Sequence, residues 1–290
     1  METVQERQSE FAAEPPPSAD CGVQAGAFLL ELSPDWIVLR VSENVHHLLG
    51  QSHVTLIDEP LGRFVHSQAL HDLRNLFSRL SGTTGIARAY RVRLTDYPDL
   101  FDIAFQLSNG RVILEAVPSS DEGFGTYFGT VGGLIAGLAG CRGQELLDAG
   151  ARRMRALTAF DRVTLLVGDA KATSSRSGVP FRPGANATLG DDFPAQIVDA
   201  AAPAVPLFPR RGNDRAAAAA LLRAPSASQR AELDDRGFAS TMRVLGGDNI
   251  GEFRLADTRP RPPSFELHAA AELFAQLFAM QIEIDRLTKV

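Results

Sequence analysis

The stretch Leu157-Thr-Ala-Phe-Asp-Arg-Val163 decides how this chain is read. A helix end containing Leu157 runs into Asp161-Arg162. It then gives way to the apolar run Val163-Thr-Leu-Leu-Val167, whose composition is that of a strand. Upstream, Tyr127 to Leu157 reads as two helices broken by Gly140-Cys141-Arg142-Gly143. Downstream, Ala172 to Gly190 is a loop rich in Ser, Gly and Pro, and a helix is expected near Pro194 to Ala201. Pro203 to Arg211 is proline-broken and extended, and Ala216 to Ala220 reads as a bland helical linker. Ser226 opens a helix to Asp235. Ala239 to Leu245 and Ile250 to Ala256 pair across Gly246-Gly247-Asp248-Asn249. A long helix from Ser264 to Leu287 closes this half, with Leu267, Ala271, Phe274, Phe278 and Ile282 close to one face.

The first half is a smaller mixed unit. Ala27 to Leu32 and Trp36 to Ser42 form a hairpin about the turn Ser33-Pro34-Asp35. Asn44 is placed to cap a short helix through Leu49, ended by Gly50. Leu70, Leu73, Phe77 and Leu80 have helical spacing within Ala69 to Leu80. Three strands follow, over Ala87–Thr95, Phe101–Leu107 and Arg111–Val117. Asn109-Gly110 between the last two is a strong hairpin signal. The order is that of a PAS domain. Residues 1–20 are acidic, polar and proline-bearing and read as a disordered tail. Residues 21–118 are the PAS-like unit, 119–125 a polar linker, and 126–287 a second, GAF-like unit that includes the long helix.

Composition narrows the function. A hydrophobic content of 44% with 22% charged residues over 290 positions is that of a globular, two-domain chain. A net charge of −6 argues against nucleic acid, whose binders are usually basic. No apolar run reaches the ~18 residues of a membrane helix, and the N-terminus lacks a signal-peptide core. The two thiols, Cys21 and Cys141, make neither a disulfide framework nor a zinc site, which fits a reducing, cytoplasmic setting. None of the six histidines lies between Asp72 and Leu267. Phosphate loops, dinucleotide fingerprints and the Gly-x-Ser-x-Gly elbow are missing, so no catalysis is expected. His46, His47, His53, His66 and His71 do not have the spacing of one helix face and read as solvated or core residues.

Several short stretches resemble the bacteriophytochromes, the bilin-binding red-light sensors. The opening stretch resembles the start of their GAF domain. Val23-Gln24-Ala25-Gly26-Ala27-Phe28 is similar to their Ile-Gln-Pro-His-Gly-Ala-Leu segment, with the Pro-His pair lost. Asp191-Asp192-Phe193-Pro194-Ala195-Gln196 resembles Asp-Ile-Pro-Ala-Gln. Leu222-Arg223-Ala224-Pro225-Ser226 resembles Leu-Arg-Ser-Val-Ser, and Gly237-Phe238-Ala239-Ser240-Thr241-Met242 resembles Gly-Val-Ala-Ala-Ser-Met. The matches keep their order from residue 22 to 287. The resemblance implies an α+β fold, a PAS domain followed by a GAF domain. Each is an antiparallel sheet flanked by helices, with a long C-terminal helix that in the family joins a dimer bundle.

The pocket positions implied by the resemblance are mostly changed. A bilin needs a nucleophilic Cys, cations or hydroxyls for its propionates, and acceptors for its pyrrole N–H groups. Asp192 stands at the pyrrole-facing Asp, and Arg223 at a salt-bridging Arg. Gln229 replaces one family His; the second aligns with Ala256 or Asp257. Leu166 replaces a Tyr, and Thr241 and Arg243 occupy the propionate-facing Ser positions. Cys21 lies two residues before Val23, closer than the family's attachment Cys, and is either a displaced attachment thiol or an ordinary strand-start residue. The family's second attachment position is Ser228 here. Only 28 residues, Ala195 to Leu222, separate Pro194 from Arg223, where the family has a long insertion threaded by its N-terminus. Thread and lasso both look cut back, as loss of that knot would require.

These readings lead to one expectation and two alternatives. The module signals by protein contact, through its C-terminal helix, as a homodimer or with a partner signalling protein. It binds no covalent bilin. The alternatives are a biliverdin-binding photoreceptor and a GAF pocket taking another small ligand. The chain stops after the long helix, so no catalytic output domain is expected within it.

Overall fold

In the computed structural model, the helix Gly143–Thr158 ends where Leu157-Thr-Ala-Phe-Asp-Arg-Val163 turns, and the turn is pinned from a hundred residues away. Ala159 adopts a left-handed conformation (φ 55°) that ends the helix. The Arg261 guanidinium donates to the last carbonyls, Thr158 O at 2.8 Å and Ala159 O at 3.1 Å, and lies 4.2 Å over the Phe160 ring. A cation there complements the helix dipole. Asp161 is buried and accepts from the Thr258 hydroxyl (2.7 Å) and N–H (3.2 Å), with Arg176 at 3.3 Å.

The described residues are 22–80, 85–120, 125–179, 181–182, 189–190, 192–211, 215–247 and 251–288. The first half contains β1 (Val23–Gln24), β2 (Phe28–Leu32), β3 (Val38–Ser42), α1 (His46–Leu49), α2 (His53–Leu56), α3 (Ser67–Phe77), β4 (Ala87–Val92), β5 (Phe101–Ser108) and β6 (Arg111–Pro118). The second contains α4 (Thr126–Ala136), α5 (Gly143–Thr158), β7 (Arg162–Val167), β8 (Ala170–Ser175), β9 (Gln196–Ile197), β10 (Ala204–Val205) and β11 (Leu207–Phe208). It continues with α6 (Arg215–Ala219), α7 (Ala227–Arg236), β12 (Ser240–Leu245), β13 (Glu252–Asp257) and α8 (Phe265–Leu287).

Two larger antiparallel sheets organise these elements, beside a two-stranded pairing of β1 with β10. The first has the order β11-β3-β2-β6-β5-β4. Its inner face buries Phe28, Leu30, Val38, Ile103, Phe105 and Leu114 under α3, with Trp36 edge-on to Phe77 and Phe105. Asn109 and Gly110 both have positive φ (50° and 71°), as a tight hairpin between β5 and β6 requires. The second has the order β8-β7-β13-β12-β9. Val163, Leu165, Met242, Val244, Phe253 and Leu255 form one of its faces, covered by α5 and α8. Phe253 meets Phe274 and Phe278 with ring centroids 5.9 and 5.5 Å apart. The helical stripe of Leu267, Ala271, Phe274, Phe278 and Ile282 therefore fills this core. What α8 leaves exposed is a different line: Met280, Ile284 and Leu287.

Several sequence expectations are corrected. Asn44 does not cap α1: Val45 is the cap residue, and the Asn44 amide donates to Ala27 O. Residues 170–175, of which 172–175 were read as loop, form β8 because β7 offers them an edge. The helix expected near Pro194 to Ala201 is instead extended. Its short strand β9 pairs with Thr241 and Met242, so sheet pairing overrides local preference. The alanine run is helical as α6, but no bland linker. Ala216 and Ala217 pack against Leu29, Ile113 and Leu207 on the outer face of the first sheet.

The segment standing where the family has its lasso contacts the start of the described chain. Val23 pairs with Val205 on one side and bridges Arg223 on the other. Gln24 N–H donates to Leu222 O, Ala224 N–H to Gly22 O, and the Gln24 amide bonds Gln196 O and the Val198 N–H. The segment between β9 and Ala224 thus still grips residues 22–24, short as it is. It also gives β11 to the first sheet, paired with Val41 and Ser42. Cys21 lies outside the described residues, as does the tail.

Candidate functional site

The face of the second sheet away from α5 and α8 carries most of the positions singled out from sequence. Strand alternation sends Thr241 and Arg243 of β12, and Glu252, Arg254 and Ala256 of β13, to this side. Arg243 and Arg254 stand directly opposite each other in the β12–β13 register, where like charges repel. Glu252 resolves that repulsion. Its carboxylate accepts from the Arg243 guanidinium through one oxygen and from Arg254 through the other at 2.8 Å. Arg254 also donates to Leu189 O. Thr241 is buried between Ala256 and Ile197 on the neighbouring strands.

Gln229 is committed twice. At the start of α7 it completes a capping box with Ser226: the Gln229 backbone N–H donates to the Ser226 hydroxyl, and the Gln229 side-chain Oε1 accepts from the Ser226 N–H at 3.0 Å. Its side-chain NH2 then donates to Asp192 O (3.0 Å) and Oδ2 (3.1 Å). Arg223 reaches the same carbonyl, Asp192 O, at 2.5 Å. The structure therefore brings Asp192, Arg223 and Gln229 together and puts Thr241 and Arg243 on the sheet beside them. Asp192 itself is exposed.

Aromatic side chains stand beside this polar group. Phe193, Ile197, Ala200, Leu233, Phe238 and Ala256 form a buried cluster, with Phe181 and Leu189 packed against it. Phe181 meets Phe238 edge-on at 6.1 Å, and the Arg162 guanidinium lies 5.2 Å from its ring. Burial works against the Arg162 charge and lowers its pKa. An open groove of about 510 Å³ runs beside this cluster, between Arg182, Arg230, Asp234 and Thr258. Sequence reasoning missed Glu252, Arg254, Phe181 and Phe193 as site residues. Alternation in Glu252-Phe-Arg-Leu255 was the available signal, since it sends Glu252 and Arg254 to the face of Arg243.

Residues 23–119 match the family model for a PAS fold. The fold of the whole chain has parallels among solved structures. The chromophore-binding domain of an unusual bacteriophytochrome, RpBphP3 from R. palustris, superposes with a TM-score of 0.70 at 21% identity, over 94% of this chain and 99% of that one. The fold is that of a bacteriophytochrome chromophore-binding domain. The corresponding domain of Stigmatella aurantiaca phytochrome P1 gives 0.71 at 22% identity, over 89% and 95% of the two chains. A longer RpBphP3 structure gives 0.74 at 22% identity, with 95% of this chain covering 61% of it. No curated protein matches the chain by sequence. Arg243, which the resemblance sets against a propionate, is paired with Glu252, and Gln229 is bonded to Ser226 and Asp192. Among the described residues no group of His, Cys, Asp and Glu is arranged for a metal, and no helix is long and apolar enough to cross a membrane.

Proposed function

We propose that this chain is a phytochrome-like sensory module that signals through protein contact, cytoplasmic and non-enzymatic, without covalently bound bilin. The observation that carries the reading is the closed Arg243–Glu252–Arg254 group. A cation already neutralised and hydrogen-bonded gains little from a propionate and costs desolvation to free. The contact surface is the outer line of α8, Met280, Ile284 and Leu287, spaced i, i+4, i+7. A second copy or a partner helix is suited to that line.

The runner-up is a biliverdin photoreceptor, favoured by the fold alone. Co-expression with a haem oxygenase separates the two. A folded, colourless protein with no band in a zinc-fluorescence gel is expected. A red absorbance that shifts under red light overturns the reading and makes Cys21 and Asp192 the first residues to replace.

A further inference from the structure

We infer that Glu115 is a latch between the first sheet and the turn at Leu221 and Leu222, and that ionisation of its carboxyl loosens that turn. Glu115 sits on β6, on the outer face of the first sheet, and is 2% exposed. It accepts from two consecutive backbone N–H groups at the end of the gripping segment: Leu221 N at 2.7 Å and Leu222 N at 2.9 Å. The same turn is tied on its other sides. Gln106 of β5 donates to Ala219 O, and Leu222 O accepts from the Gln24 N–H. One residue further on, Arg223 leaves the turn to reach Asp192 O, where Gln229 is also bound. The path from the first sheet to the candidate site is thus Glu115, turn, Arg223, Asp192. The latch requires neither a bilin nor the contact surface on α8.

Among the described residues, no cation forms an ion pair with the carboxylate to balance its charge. The charged groups on the elements packed around it are Arg88 on β4, Asp102 on β5, Glu31 on β2 with its partner Arg40 on β3, and Glu266, His268 and Glu272 on α8. Arg88 acts on Glu115 through space, but its own bonds go to Glu272 (2.8 Å) and His268 (3.1 Å). His268 is itself buried, which lowers its pKa. Two neutral N–H donors stabilise the carboxylate less than water would, because burial removes a full hydration shell. Burial therefore raises the Glu115 carboxyl from 4.5 to about 7, against the two backbone N–H bonds and Arg88. Once the turn opens and water reaches the group, it returns to its ordinary range. The closed form thus holds a proton that the open form releases. The latch is firmest below the ordinary carboxyl range, weakens as pH rises, and reaches its weakest state above about 7.

Amide hydrogen exchange of Leu221 and Leu222 in the full chain, corrected for intrinsic rate, tests this. Protection is expected to fall about tenfold per pH unit between roughly pH 5 and 7, a hundredfold or so in all, and then level off. In Glu115→Gln it is expected to stay flat, while amides of β13 stay flat in both proteins. A flat wild-type profile, or the same fall in Glu115→Gln, overturns the latch. If Glu115→Gln does not fold, carbon-13 titration of the glutamate carboxyls in the wild-type chain decides. A carboxyl titrating near 7 supports the latch, and titration of every glutamate below about 5.5 overturns it.

Discussion

The two faces of the second sheet come from the same strands, yet they ask different things of their side chains. On the α5–α8 side, Val163, Leu165, Val244, Phe253 and Leu255 need only be apolar and fill space. On the other side, Arg243, Glu252 and Arg254 each need one particular partner. Burial is non-directional, so an apolar face can be recognised from single residues. A charged face has meaning only in pairs, and its chemistry changes when one member does.

The largest effect should come from breaking the first face. Phe253→Ala removes a ring packed against Phe274 and Phe278 and is expected to cost about 3–5 kcal/mol in denaturant unfolding. On the opposite face, Glu252→Ala leaves two facing arginines without their shared acceptor. A loss of about 2 kcal/mol is expected, and a double-mutant cycle with Arg243→Ala should show strong coupling. A loss no larger than that of an exposed Glu→Ala would mean that the pairing is not what holds this face. Gln229→Ala removes half of the capping box and the bond to Asp192, for about 1 kcal/mol.

Asp161, at the mouth of β7, tests the comparison by pH. Burial pushes its carboxyl up, but hydrogen bonds from the Thr258 hydroxyl and N–H, with Arg176 nearby, outweigh this and hold it below the ordinary value. Its contribution is therefore present above that value and lost as pH falls through the depressed one. Acid unfolding of Asp161→Asn should show a shallower fall in stability below about pH 4 than wild type. Met280→Glu should change stability by at most about 0.5 kcal/mol. If light scattering then shows the same mass as wild type, the α8 line is not the contact surface between copies.

Much of the fold was legible because it is local. Asn109-Gly110 declares its hairpin, Ser226 its cap, and the alternation of β12 and β13 their pairing. The misses share a cause, since each depends on a distant partner. β9 is a strand because β12 has an open edge, and Asn44 serves Ala27 rather than its own helix. Arg261 stabilises a helix end it does not belong to. At the site, Asp192, Arg223, Gln229, Thr241 and Arg243 were identified individually. Their mutual engagement was not legible, since it needs Glu252 and the path of the backbone at Asp192.

The place of β11 bears on how the chain is made. β6 ends at Pro118, and β11, the sixth strand of the same sheet, does not begin until Leu207. During synthesis the first sheet emerges with β3 as an open rim, and its cover arrives only after most of the second sheet has been translated. Such non-local closure slows folding and leaves a strand edge available to neighbouring chains. A fragment stopped at the linker is therefore expected to self-associate along β3, whereas the whole chain carries its own edge guard.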